Sequence, residues 1–126
     1  EQIRAEVGTI RRQSPGPINL NFFCHAPPVP DPARERAWRA RIEAMYGPIP
    51  DGPDGARRRP FDEAACALVE ELRPEVVSFH FGLPAPPLLA RVKATGARLI
   101  ASATTVEEAV WLERHGADAV IAQGAE

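Results

Sequence analysis

Cysteine is scarce. Cys24 and Cys66 are the only two in 126 residues, too few and too unpatterned for a disulfide framework, so a reducing cytoplasm is the expected setting. Cys66 falls on the apolar face of a helical pattern and reads as inert core. Cys24 ends a strand beside His25, which suggests either a nucleophile or a metal ligand; no further ligand stands near it, and a small residue at a strand end explains it as well. Charge of one sign is also lacking. Fifteen Lys and Arg oppose seventeen Asp and Glu, a net charge of -2, and no field arises that would draw nucleic acid or an anionic membrane. The one basic run, Arg57-Arg58-Arg59, fits a solvated loop better than a phosphate site. No stretch approaches the roughly 18 apolar residues of a membrane span, and Glu1-Gln2-Ile3-Arg4 lacks the pattern of a secretion signal.

Several common site motifs are missing. There is no Gly-x-Gly-x-x-Gly after a strand, no phosphate-cradling Gly-Lys-Ser or Gly-Lys-Thr, and no acidic cluster suited to magnesium. Ser78 or Ser102 with His80 could suggest a hydrolase triad, but neither a nucleophile elbow nor an aspartate partner accompanies them.

What is present is alternation of helix and strand. Ile3, Val7 and Ile10 are spaced as on a helix that breaks at Ser14-Pro15-Gly16-Pro17, and residues 18–23 form a strand with two asparagines on one alternating face. Asp31 caps a second helix with Pro32 at its first position, carrying Ala37, Trp38, Ile42, Met45 and Tyr46 before Gly47. The loop Pro48 to Pro60 is long and polar, as in a lid over a binding face. Phe61, Ala64, Ala65, Leu68, Val69 and Leu72 fall on one helical stripe. A strand from Val76 to Phe81 ends at Gly82-Leu83-Pro84, and Pro86 and Pro87 open a helix with Leu88, Leu89 and Val92, closed by Gly96. Arg98 to Ser102 and Ala119 to Ala122 are strands joined by a helix with Thr105 and Glu108 as its capping box and Gly116 at its end. Strands separated by helices must run parallel with right-handed crossovers, so the class is α/β.

In a parallel sheet every strand's carboxyl end opens on one side. Here the four ends carry Asn21, His80, Ser102 and Gln123, and their convergence there is the functional signal. Each taken singly has a bland alternative: a turn-satisfying asparagine, a hydrogen-bonded wall histidine, a serine leading into a helix cap. Glu126 is the only acid expected near that face, which leaves no carboxylate pair for glycoside hydrolysis.

Residues 17–24 (Pro-Ile-Asn-Leu-Asn-Phe-Phe-Cys), 76–84 (Val-Val-Ser-Phe-His-Phe-Gly-Leu-Pro) and 117–126 (Ala-Asp-Ala-Val-Ile-Ala-Gln-Gly-Ala-Glu) resemble successive motifs of bacterial nitronate monooxygenases, formerly called 2-nitropropane dioxygenases. The resemblance covers nearly the whole chain. It implies an FMN-dependent (β/α)8 TIM barrel that oxidises alkyl nitronates with O2 to carbonyl compounds and nitrite. In that family an asparagine at the position of Asn21 and a glutamine at that of Gln123 contact the flavin; His80 and Ser102, at neighbouring strand ends, are taken as further walls of the flavin or substrate pocket. The family's catalytic base is a histidine in a Gly-Gly-His stretch expected just past Glu126. None of His25, His80 or His115 takes that role, so no catalytic residue and no metal ligand is assigned within the chain.

A closed barrel needs about 250 residues and eight strands. Four strands in 126 residues are therefore expected to be a partial barrel, truncated at both ends: one fragment of a single FMN-binding domain that binds FMN poorly and is inactive alone. Two rivals remain. An FMN- and NADH-dependent enoyl reductase shares the fold, although it tends to carry glutamate where Gln123 stands. A non-catalytic half-barrel would self-associate through its two open sheet edges.

Overall fold

The computed structural model describes residues 1–27, 29–50 and 59–124. Chain packing divides into one unit of residues 1–25 with 59–126 and a second of residues 26–58. The first unit holds helix α1 (Gln2–Gln13), strand β1 (Asn19–Phe23), α3 (Glu63–Leu72), β2 (Val76–His80), α4 (Pro86–Ala94), β3 (Arg98–Ala103), α5 (Val106–Arg114) and β4 (Ala119–Ala122); the second holds α2 (Pro32–Tyr46).

The four strands form one parallel sheet in the order β1-β2-β3-β4. Asn21 lies level with Ser78 and Ile100, and Phe23 with His80, while Ser102 is level with Ile121. Side chains alternate across the sheet. Phe79, Val77, Leu99, Ala101 and Ala103 face the helices and meet Val69, Cys66, Val92 and Leu112 in one buried cluster. Phe22, Phe61 and Phe79 pack there edge to face, with Phe61 5.0 Å from Phe22 and 5.2 Å from Phe79. Each fully buried Phe, Leu or Val stabilises the fold by about 1.5–3 kcal/mol relative to leaving it in water.

Helix ends follow the local chemistry. Asp62 caps α3 by accepting from the Ala65 amide at 2.9 Å, and Thr105 caps α5 by accepting from the Glu108 amide at 3.1 Å. Glycine closes α5 with φ +90 at Gly116, where the Ala117 amide reaches back to the Leu112 carbonyl. Ion pairs tie the helices to one another: Arg91 is clamped by Glu63 and Glu70, and Arg4 pairs with Glu71. Glu75 fixes the start of β1 by accepting from the Ile18 amide and the Arg11 guanidinium.

Two expectations need correction. The strand from Val76 ends at His80, not Phe81, because Phe81 turns into the left-handed region with φ +65. Ala64 is exposed and drops out of the buried stripe of α3, while Cys66 is buried as expected. In the second unit, α2 has no buried residue, and Asp31 caps it through the Arg34 amide and Gly47 ends it as expected. Most of the proposed lid, with Arg57 and Arg58 of the basic run, lies outside the described residues, as does Glu126.

Candidate functional site

Where β2, β3 and β4 end, a cleft of about 640 Å³ opens, lined by Phe23, His80, Phe81, Gly82, Ser102, Thr104, Glu108, Trp111, Leu112 and Gln123. Strand register produces it: Phe23 sits level with His80, and the Gln123 amide extends the last ladder by donating to the Ala103 carbonyl. Three of the four residues expected at the strand ends, His80, Ser102 and Gln123, are thereby brought together.

The Ser102 hydroxyl and His80 Nδ1 are 2.9 Å apart. This contact fixes the imidazole ring and sets its remaining nitrogen, Nε2, as donor or acceptor according to which partner holds the shared proton. It also argues against a hydrolase triad. In a triad the serine meets Nε2 while an acid orients Nδ1, but here the serine itself occupies Nδ1.

Asn21 is the fourth, and it lies one layer below the cleft. Its Oδ1 accepts from the Ser78 hydroxyl at 2.9 Å, and that same hydroxyl oxygen accepts from Asn19 Nδ2 at 2.9 Å. Ser78, 4% exposed, is the one buried polar side chain among the described residues. The ladder holds Asn21 with its carbonyl turned inward, which leaves its NH2 group to donate elsewhere.

Sequence reasoning missed several members of this site. Ser78 was weighed only as a nucleophile, and its contacts with Asn19 and Asn21 were not foreseen. Glu108 contradicts the expectation that Glu126 is the only acid near the strand ends. Its carboxylate lines the cleft and accepts from the Thr104 amide at 2.7 Å and hydroxyl at 2.9 Å, which holds it below the usual glutamate range and therefore ionised. Capping chemistry concealed it: a glutamate three residues after Thr105 reads as a local helix signal, yet it also faces the cleft with Trp111 and Leu112, three and four residues on.

An aromatic group forms the other side. Phe81 stacks on Phe23 at 5.7 Å and 27°, with the His80 ring 5.7 Å from Phe23 and His25 edge-on to Phe81 at 6.2 Å. Cys24 points away from all of this, packed against the helix-side core, where burial pushes its thiol up to about 12. A thiol so hard to ionise is no nucleophile. His115 is also apart, its Nδ1 donating to the Trp111 carbonyl at 2.7 Å and its ring stacked on Trp111. Among the described residues no three His, Cys, Asp or Glu assemble to hold a metal. No helix among them is long and apolar enough to cross a membrane.

The cleft offers a planar, neutral ligand what it needs. Imidazole, hydroxyl and carboxamide provide donors and acceptors, aromatic faces provide stacking area, and the one carboxylate, Glu108, is held by Thr104. A flavin ring fits that set. Among the described residues no Lys or Arg lines the cleft to pair with its phosphate.

Comparison with known proteins identifies the family. A family model described as Nitronate monooxygenase matches residues 1–126. The nitronate monooxygenase of Pseudomonas aeruginosa is 38% identical over 131 residues, taking in 100% of this chain and 37% of the relative. That of Paraburkholderia phytofirmans is 38% identical over 128 residues, covering 98% of this chain and 35% of its own length. Among solved structures, nitroalkane oxidase from Streptomyces ansochromogenes superposes with a TM-score of 0.77 at 32% identity, over 97% of this chain and 35% of that one. The chain thus spans little more than a third of these proteins, and its four parallel strands with flanking helices are part of a (β/α)8 barrel.

Proposed function

The chain belongs to the nitronate monooxygenase family, and from that premise we propose that it forms the flavin-facing part of an oxidoreductase that converts alkyl nitronates and O2 to carbonyl compounds and nitrite. The observation that carries the reading is the meeting of His80, Ser102 and Gln123 in one cleft at the carboxyl ends of parallel strands, the place where barrel enzymes keep their chemistry. FMN, when bound, supplies the redox chemistry; the protein's part is to hold and orient.

In this reading Gln123 and Asn21 meet the edge of the flavin with neutral amides. Ser78 keeps Asn21 in the donor orientation, and Ser102 keeps the His80 ring from turning. Neutral partners suit a redox ring, since a fixed charge would bias its potential strongly. Glu108 stays bound to Thr104 at the cleft margin and does not serve as the base, because a carboxylate held below its usual range is a poor proton acceptor. The proton-abstracting base is assigned to a histidine outside these 126 residues, and the phosphate to residues outside the cleft described above.

The test is Gln123→Ala in the intact protein that carries this sequence. Retained FMN or nitronate turnover should fall at least about tenfold, the effect of losing a hydrogen bond at a buried ligand edge. Unchanged flavin content together with unchanged nitrite release would contradict the role given to Gln123.

A further inference from the structure

Side chains along β2 alternate: Val77 and Phe79 are fully buried on the helix side, while Ser78 and His80 meet their partners on the other face. Regular continuation would send Phe81 back toward the helices. It does not go there. Phe81 leaves the strand conformation with φ +65, Gly82 follows at +95, and the Phe81 ring lies against Phe23 and His80, on the same side as the residue before it.

This conformation is a genuine outlier for a bulky residue. Backbone strain of this kind persists where it serves a site. What the strain achieves is visible: it places a second aromatic ring beside Phe23, one ring's width from the polar group of His80 and Ser102. The cleft is thereby divided into a hydrogen-bonding part and an apolar wall. A nitronate is divided in the same way, into a polar anionic head and a hydrocarbon tail.

We propose that Phe81, stacked on Phe23, receives the hydrocarbon tail of the substrate and sets the preference for chain length. This rests on reading the cleft as a site of nitronate oxidation, and Phe81 is a specificity-determining residue there, not a group that takes part in the chemistry.

The test is kcat/KM for a series of primary nitronates, from ethyl to hexyl, in the intact flavin-loaded protein. For the wild type it should rise about fourfold per methylene over the positions the ring covers. Phe81→Gly should reduce that to less than about twofold per methylene, and Phe81→Tyr should restore it. Glycine accepts φ +65 without strain, so the thermal midpoint of Phe81→Gly should hold or rise. A flat wild-type series, an unchanged slope in Phe81→Gly, or a lowered thermal midpoint in that variant would each overturn the proposal. Loss of flavin with an unchanged slope would overturn it by assigning the ring to the cofactor. If the wild type releases nitrite from no nitronate, the underlying reading fails first, and this inference fails with it.

Discussion

Ser78→Ala removes one hydroxyl that serves two amides, and its cost can be worked from the structure. The Ser78 oxygen accepts from Asn19 Nδ2 and donates to Asn21 Oδ1, each at 2.9 Å. A net contribution of about 0.5–1.5 kcal/mol per hydrogen bond gives about 1–3 kcal/mol for the pair. Asn19 and Asn21 keep other donors and acceptors within reach on the sheet face, so the lower part of that range applies, about 1–2 kcal/mol. The unfolding constant should rise about five- to thirtyfold. Urea denaturation of the intact protein should show a lower midpoint with an unchanged slope. A double-mutant cycle with Asn21→Ala isolates the contact: the coupling should be at least about 0.5 kcal/mol, because the two side chains touch. Since the ladder also aims the Asn21 amide, Ser78→Ala should weaken flavin retention in step with Asn21→Ala. Zero coupling, with full flavin retention, would refute the idea that Ser78 positions Asn21.

Other consequences follow from ionisation. With its thiol pushed up to about 12, Cys24 carries thiolate in about one molecule in 10⁴ at pH 8, against about one in ten for an ordinary thiol at 9.0; disulfide-reagent labelling of the native protein should be about a thousandfold slow, and fast labelling at pH 8 would contradict the burial described. Asp118 is held below its usual range, first by the Leu99 amide and then by Arg98, and Glu75 by the Ile18 amide before Arg11. A depressed carboxylate stabilises the fold above its unfolded value and loses that contribution as pH falls through the lower folded value. The thermal midpoint should therefore drop from about pH 5 to about pH 3, and the drop should be shallower in Asp118→Asn; equal slopes would show that Asp118 does not anchor the β3–β4 junction.

Most of the architecture was legible because its signals are local. Proline at the first turn of α2 and α4, glycine after α4 and α5, and short apolar runs between them specify parallel strands joined by helices, and those strands are found where the runs lie. The site was legible in part. His80, Ser102 and Gln123 all lie at the carboxyl ends of their strands, which chain order alone suggests. Asn21 sits a layer lower because pairing places it opposite Ser78, and register is a property of two strands, not one. The left-handed turn at Phe81 had no sequence signal, since phenylalanine in a β-rich run normally continues the strand. Glu108 was hidden because one carboxylate performs two tasks, closing a helix cap and lining the cleft. In α2 the apolar spacing gave the helix but not its burial, because spacing records which residues share a face and not what covers them.

Oxygen uptake and nitrite release by the intact, FMN-loaded protein given an alkyl nitronate test the central claim most directly. The expected result is oxygen-dependent nitrite formation that falls with Gln123→Ala. Reduction of the bound flavin by NADH under anaerobic conditions, with no nitrite released from any nitronate, would contradict it and point to a reductase built on the same barrel.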